Sequence, residues 1–229
     1  YELDDQLYET LCEDQAFYMR PEPLRHPLIF SLGHTAVFYI NKLMLAKLVD
    51  RRLNPTYESM FAVGVDEMSW DDLNEEHYDW PPVAEVQSYR DHVRDVVDEL
   101  IRTMPLEMPI TWDSPWWVIM MGIEHARIHL ETSSVLIRQL PIEHVRPHPL
   151  WEICPQSGTA PENELVPVDA GRVAIGKNKD HPLYGWDNEF GTHIEEVKGY
   201  LASRYLVSNA EFLECVEDGG WATRGWWGG

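Results

Sequence analysis

The chain has 229 residues, 44% of them hydrophobic and 11% aromatic, and a net charge of −21 with its histidines neutral. So much negative charge opposes binding to nucleic acid or to an anionic membrane, and the length suits one or two domains. Three widely separated cysteines make neither a disulfide framework nor a Cys-x-x-Cys site. Since no signal peptide opens the chain, we expect a reducing, cytoplasmic location.

Four helices are predicted in the first 140 residues. Apolar residues recur at the spacing of one helix face, and prolines lie close to the predicted ends. The helices are predicted over residues 2–19, 25–53, 83–104 and 116–140. The second is the most apolar, but His34, Asn41 and two lysines within it favour a buried helix over a membrane span. Four helices with one apolar face each predict a four-helix bundle.

The third predicted helix has one apolar face and one charged face. Its apolar stripe runs from Val86 to Leu100, and the opposite face, which includes Arg90, is predicted to be exposed. The preceding connection, residues 54–82, is predicted as a long loop, and loops of this length are often functional. Within it, the acidic and aromatic segment Asp66–Asp72 is predicted either to line a pocket and hold substrate amino groups or to form a domain interface.

Two histidines of the fourth predicted helix point to a metal. His125 and His129 are four residues apart, on a stripe with Val118, Met121 and Val135, so both should face the interior. Buried imidazoles are costly unless they are hydrogen-bonded or bind an ion, and neutral imidazole is the commonest metal ligand. The alternative is a surface pair that binds nothing. No glutamate follows His125, which excludes the zinc-protease motif His-Glu-x-x-His.

His34 is the candidate third ligand. It shares the inward stripe of the second predicted helix with Phe30, Val37 and Phe38. A single inward histidine is more often a hydrogen-bonded core residue, but here it would complete a site with the pair on the fourth helix. Glu131 leaves the ligand face by its helical angle, so we predict a solvated or outer carboxylate that pairs with Arg127 and does not bind the ion.

The period of the apolar residues changes in the second half of the chain. Residues 141–163 are predicted as a proline-rich linker with His144 and His148 on its surface. Alternating valines and Ile175 around Gly171 predict a strand or hairpin, and a capping box at Ser208 predicts a helix to about Val216. We expect residues 164–229 to begin an α+β domain whose core is incomplete. The predicted core face of that domain consists of Val173, Ile175, Tyr205, Val207 and Phe212.

Several segments resemble one family. Leu32–Thr35 (LGHT) and Gly122–Glu131 (GIEHARIHLE) resemble the DinB-like domain of the nonheme-iron sulfoxide synthases of thiohistidine biosynthesis. The second part resembles the start of a formylglycine-generating-enzyme-like domain, which has a C-type-lectin-like fold. The segments that carry this second likeness are Val168–Gly171, Trp186–His193 and Ser203–Phe212. Three further segments resemble the 5-histidylcysteine sulfoxide synthase branch, which makes ovothiol: Arg25–Phe30, Phe61–Asp72 and His129–Gln139.

The resemblance implies a mainly α architecture: a DinB-like bundle at 1–140, a linker at 141–163 and a partial second domain at 164–229. It implies Fe(II) held by His34, His125 and His129, with L-cysteine, L-histidine and O2 as the substrates and no nucleic-acid or membrane partner. The implied reaction is oxidative C–S coupling to 5-histidylcysteine sulfoxide. Catalytic residues other than the metal ligands are not predicted.

The chain begins at Tyr1 rather than a methionine, and we expect a fragment with negligible activity by itself. The family tyrosine that assists the chemistry and the methyltransferase domain are expected beyond the present sequence. Two alternatives remain open. One is a DinB-like thiol transferase that uses zinc or nickel, and the other is a truncated metal-binding bundle without catalysis.

Overall fold

The structure is a computed structural model that describes residues 1–62, 78–152, 155 and 157–227. It divides into two compact units. The first comprises Tyr1–Glu152 and Pro182–Trp186, and the second comprises Ile153–His181 and Asp187–Gly229. Within the described residues, the first unit is built from α-helices, and all of the strands lie in the second. The expected mainly helical DinB-like part and the small sheet part are therefore both present.

Three long helices form the core of the first unit: α3 (Leu28–Leu45), α5 (Val83–Thr103) and α6 (Pro115–Gln139). Helix α3 lies in the centre and packs against both of the others. It is long and apolar enough to cross a membrane, but 72% of that stretch is buried inside the protein. Burial of every residue from Leu28 to Val37 makes α3 the central core helix of this unit.

The prediction of one continuous first helix over residues 2–19 is wrong. The structure has two short helices, α1 (Glu2–Tyr8) and α2 (Gln15–Tyr18). Between them Leu11 forms a β-bridge with Val145, and the Cys12 N–H donates to the His144 carbonyl at 3.0 Å. Backbone groups that pair with a distant segment cannot also continue a helix, so the helix ends before Leu11.

Two histidines that were predicted on the linker surface, His144 and His148, have partners in the first helical segment. The His144 Nδ1 lies 2.8 Å from a carboxylate oxygen of Glu13, and the His148 Nε2 lies 3.0 Å from one of Glu9. Both imidazoles are largely covered by these contacts. The beginning of the predicted linker therefore packs back onto the first helical segment.

The second predicted helix ends eight residues early. Helix α3 stops at Leu45, and Lys47 adopts a φ of 58°, in the left-handed region that ends helices. Leu45, the last residue of α3, is 79% exposed. Part of the predicted loop is instead helix α4 (Pro55–Met60), whose N-terminus is capped by the Asn54 side chain. The segment Asp66–Asp72 lies outside the described residues.

The apolar stripe predicted for the third helix is confirmed in α5, because Val86, Tyr89, Val93 and Val97 are buried. The prediction that Arg90 is solvated is wrong, since this residue is only 1% exposed. Arg90 follows Val86 by four positions and precedes Val93 by three, so it lies on the buried side. Its guanidinium donates to the Leu32 carbonyl and the Thr35 hydroxyl, each at 2.7 Å, and forms ion pairs with the carboxylates of Asp4 and Asp5.

The second unit contains a long antiparallel ribbon in two parts. Strand β1 (Leu165–Val168) pairs with β4 (Tyr200–Ser203), and β2 (Gly171–Ile175) pairs with β3 (His193–Val197), in one continuous register. The predicted strands are confirmed, but a hairpin around Gly171 is wrong because β1 and β2 both pair with later strands.

The last helix of the second unit is α7 (Asn209–Glu217). It begins with the predicted capping box between Ser208 and Glu211. The five apolar side chains predicted to form a core face are each 46–67% exposed: Val173, Ile175, Tyr205, Val207 and Phe212.

Candidate metal centre

The candidate centre is formed by helices α3 and α6, which pack against each other. Gly122 of α6 is buried, and a Cβ built on it would lie 1.9 Å from the Tyr39 Cε1 of α3. Glycine therefore lets the α6 backbone contact the Tyr39 ring directly. The inward face of α6 differs slightly from the prediction, because Val135 is 49% exposed and Val118 and Met121 are only half-buried.

The structure brings the three predicted ligands together. His34, His125 and His129 each offer a nitrogen, and these nitrogens all lie within 4.8 Å of one another. Ring centroids are 4.6–4.9 Å apart in all three pairs. The Nε2 atoms of His34 and His125 are 3.2 Å apart. Among the described residues this is the cluster whose donor atoms could hold an ion.

One hydrogen bond sets the orientation of His34. Its Nδ1 lies 2.6 Å from the Phe61 carbonyl oxygen, and because a carbonyl can only accept, Nδ1 carries the proton. The Nε2 atom of the neutral ring therefore keeps its lone pair, which faces the Nε2 of His125. A hydrogen bond from the ring nitrogen that does not bind the ion to a backbone carbonyl is a usual means by which proteins fix the tautomer of a ligating histidine.

The α6 histidines have buried nitrogens without such support. In the part of the chain that the structure describes, the Nδ1 atoms of His125 and His129 have no hydrogen-bond partner. An unsatisfied buried polar atom costs about 1–3 kcal/mol. Unlike His34, these two rings therefore have no hydrogen bond on Nδ1 that fixes their tautomer.

All three imidazoles are held neutral. Burial, with weaker charge repulsion from His129, His34 and Lys42, lowers the pKa of His125 to about 2. Burial also lowers the pKa of His129 to about 3, helped by His34 and Arg25, and it lowers the pKa of His34. Only a neutral imidazole has a lone pair for a metal, so the cluster is in its binding form at neutral pH.

Aromatic side chains cover the cluster. The Phe38 ring stacks on His125 with centroids 3.7 Å apart and an interplanar angle of 7°, and Phe30 stacks on His34 at 4.8 Å. The Lys42 ammonium lies 5.3 Å from the Phe38 ring centroid. These rings provide a low-polarity surrounding, which strengthens metal–ligand interactions and limits access of water.

The spacing of the His34 and His125 donors fits a shared ion. Two nitrogens that each lie about 2.1 Å from an ion are about 3.0 Å apart at a right angle and about 3.4 Å apart at the tetrahedral angle. The observed Nε2–Nε2 distance of 3.2 Å lies between these values. Three neutral imidazoles suit iron, zinc, nickel or copper better than magnesium or calcium.

Glu131 is exposed and is not part of the cluster. The observed ion pair of Arg127 is with Glu124, at 3.7 Å, rather than with Glu131. The contact that sequence analysis missed is the Phe61 carbonyl, because residues 54–82 were predicted as loop. The pair Asn54-Pro55, an N-cap residue followed by proline, was the signal for helix α4 that would have placed Phe61 at its end.

Comparisons with known proteins give a family and several relatives for this chain. The family model described as the DinB superfamily matches residues 5–133. The chain is 25% identical over 228 residues to ergothioneine biosynthesis protein 1 of Neurospora crassa, covering 92% of this chain and 26% of that protein. It is 25% identical over 223 residues to the hercynine oxygenase of Mycolicibacterium smegmatis, covering 94% of this chain and 48% of that protein.

A third relative is ergothioneine biosynthesis protein 1 of Schizosaccharomyces pombe, at 23% identity over 85% of this chain and 29% of that protein. The chain thus spans about a quarter to a half of the length of these relatives. The matches confirm the predicted resemblance to DinB-like proteins of thiohistidine biosynthesis. The family match covers more than half of the chain and includes all three clustered histidines, so the chain belongs to the DinB superfamily.

Proposed function

We propose that this chain is the metal-binding part of a nonheme-iron sulfoxide synthase, an enzyme that couples the sulfur of cysteine to the imidazole ring of a histidine compound. The observation that carries the proposal is the neutral three-histidine cluster between α3 and α6. It is supported by relatives named for ergothioneine biosynthesis and hercynine oxygenation. The cluster is a donor set that binds iron while leaving about three positions of an octahedral ion open.

Iron, when bound, would supply a site for a thiolate and the redox chemistry with O2. The residues of the chain have three separate tasks. His34 presents a lone pair fixed by the Phe61 carbonyl, and His125 and His129 present two more from one face of α6. Phe38 and Phe30 exclude water from the sides of the imidazoles that they cover. Together these contacts hold a reactive ion in a preorganised, weakly polar pocket.

L-Histidine is the proposed acceptor, and 5-histidylcysteine sulfoxide is the proposed product. The resemblance of Arg25–Phe30 and His129–Gln139 to the ovothiol branch supports this choice. Coupling removes one hydrogen from the cysteine thiol and one from the imidazole ring carbon, and adds one oxygen to sulfur. The second oxygen atom of O2 leaves as water with these two hydrogens, which balances the reaction.

The second unit is proposed to begin a formylglycine-generating-enzyme-like domain. We propose the boundaries 1–140, 141–163 and 164–229 for the bundle, linker and second domain, and the cytoplasm as location. The antiparallel ribbon and the capped helix α7 support a mixed α and β domain in this region. Two of the segments that carry the family resemblance are Trp186–His193 and Ser203–Phe212, and all of their residues except Trp186 lie in the second unit.

The deciding experiment uses the full natural protein, loaded with Fe(II) without oxygen and then exposed to O2 and cysteine. Histidine and hercynine, its trimethylammonium derivative, are supplied in parallel, and the products are identified by mass spectrometry. We expect the sulfoxide with histidine, its loss in His129→Ala, and its retention in the control His148→Ala, which alters a histidine outside the cluster.

Other outcomes would overturn parts of the proposal. Coupling with hercynine alone would keep the reaction and reject the proposed acceptor. Thiol transfer supported by zinc or nickel, without O2-dependent coupling, would favour the DinB-like thiol transferase. Absence of stoichiometric metal binding would indicate a bundle without catalysis.

A further inference from the structure

A buried carboxylate outside the metal cluster connects the helices around it. Glu58 of α4 is 1% exposed. Its Oε1 accepts the backbone N–H groups of Leu53 and Asn54 at 2.8 and 2.9 Å, and the Tyr89 hydroxyl of α5 lies at 3.5 Å. The Glu58 carbonyl accepts the Asn41 side-chain amide of α3 at 3.0 Å. One residue thus closes the turn before α4 and ties α4 to its neighbours.

The same short helix delivers the acceptor for His34. Phe61 is the C-terminal cap of α4, three residues after Glu58, and its carbonyl accepts the His34 Nδ1–H at 2.6 Å. The Phe61 ring is fully buried and packs on the α3 backbone, since a Cβ on Gly33 would lie 2.7 Å from it. The position of this carbonyl therefore depends on how α4 is held against α3.

We propose that Glu58 is a positioning residue for the metal centre, acting through α4 and the Phe61 carbonyl to hold His34 with its Nε2 lone pair toward His125 and His129. His34 is then the preoriented ligand of the three. The α6 pair has no equivalent support on Nδ1 within the described residues. This inference rests on the proposed metal function and assigns a role to a residue more than twenty positions from any ligand in the chain.

The test measures metal affinity and the His34 tautomer, and does not depend on turnover. Co(II) is titrated into the protein and followed by its visible absorption bands, and long-range proton–nitrogen NMR of the metal-free protein reports which ring nitrogen of His34 carries the proton. Glu58→Ala should weaken Co(II) binding roughly 10–100-fold, the usual effect of losing an outer-shell partner. It should also remove the signature of a protonated His34 Nδ1.

Two further variants separate positioning from general stability. Glu58→Gln keeps an oxygen for the Leu53 and Asn54 N–H groups, so we expect it to restore both the Co(II) affinity and the NMR signature. Val97→Ala truncates a buried α5 side chain two turns beyond Tyr89. It should lower the melting temperature while leaving the Co(II) affinity unchanged.

A folded Glu58→Ala protein that binds Co(II) as Val97→Ala does, with the His34 signature intact, would overturn the proposal. If Glu58→Ala does not fold, Glu58→Asp is decisive, because the shorter side chain draws the carboxylate away from the Leu53 and Asn54 N–H groups. Unchanged affinity and an unchanged His34 signature in folded Glu58→Asp would then reject the positioning role. A wild-type protein that binds neither Co(II) nor Fe(II) would instead reject the metal centre itself.

Discussion

Replacing Gly122 with alanine should test whether close packing of α3 and α6 creates the metal centre. The added methyl group would lie 1.9 Å from the Tyr39 Cε1, whereas ordinary van der Waals contact begins near 3.4 Å. The ring or the helix must therefore move by about 1.5 Å. Metal sites tolerate deviations of only about 0.2 Å in ligand distances, so the displacement is large compared with what the site can absorb.

The effect on stability should be smaller than the effect on metal binding. Overpacking a core costs about 1–3 kcal/mol, while the higher helix propensity of alanine returns about 0.8–1 kcal/mol. We expect a net loss of about 1–2 kcal/mol, because the clash involves a buried ring. For a chain of this size that loss lowers the melting temperature by about 2–8 °C. The Co(II) affinity should fall by more than the roughly 10–100-fold expected from losing an outer-shell contact.

The assay is Co(II) titration combined with thermal unfolding of the metal-free protein. Gly158→Ala is the matched control, because the same methyl group added there meets nothing within 4 Å. The double variant Gly122→Ala, Tyr39→Leu removes the clashing ring and should recover part of the lost affinity. Unchanged Co(II) affinity in Gly122→Ala would refute the idea that this glycine sets the separation of the ligands.

Three more predictions concern individual side chains. Alanine at His34, His125 or His129 should abolish stoichiometric Fe(II) binding, measured by metal analysis after desalting, and ordinary iron content in any of them would reject the assigned triad. Glu131→Gln should keep iron bound, since Glu131 is exposed, and a carboxylate oxygen bonded to the ion in a metal-loaded crystal structure would contradict this. Arg90→Leu should cost about 3–5 kcal/mol in urea unfolding, because it leaves the buried Asp4 carboxylate without its cation. A change within 0.5 kcal/mol, on the order of a surface substitution, would show that the pair contributes little.

The three clustered histidines could be predicted because helical periodicity is a local property. The spacing of His125 and His129 fixes their common direction on one helix, and the stripe around His34 fixes its direction on another. No information about the packing of the helices is needed for either conclusion. The same reasoning placed the stripe of α5 correctly.

Features that depend on distant segments could not be predicted in this way. The first helix breaks because Leu11 pairs with Val145, far along the chain. Arg90 lies on an apolar stripe, and its burial depends on Asp4 and on the Leu32 carbonyl, neither of which its own helix reveals. Charge suggested exposure, whereas tertiary hydrogen bonds and ion pairs permit burial of this guanidinium.

The arrangement of the cluster separates two requirements of a metal site. Gly122 controls how near α6 comes to α3, and the α4–Phe61 segment controls which nitrogen of His34 faces the other rings. A change at Gly122 should therefore weaken binding while the His34 tautomer stays fixed, because the Phe61 carbonyl remains in place. A change at Glu58 should release the tautomer while the helix separation persists. The two effects arise from different contacts, the Tyr39 ring at Gly122 and the Phe61 carbonyl at His34. Combining the variants should therefore give additive losses of affinity, within about 0.5 kcal/mol.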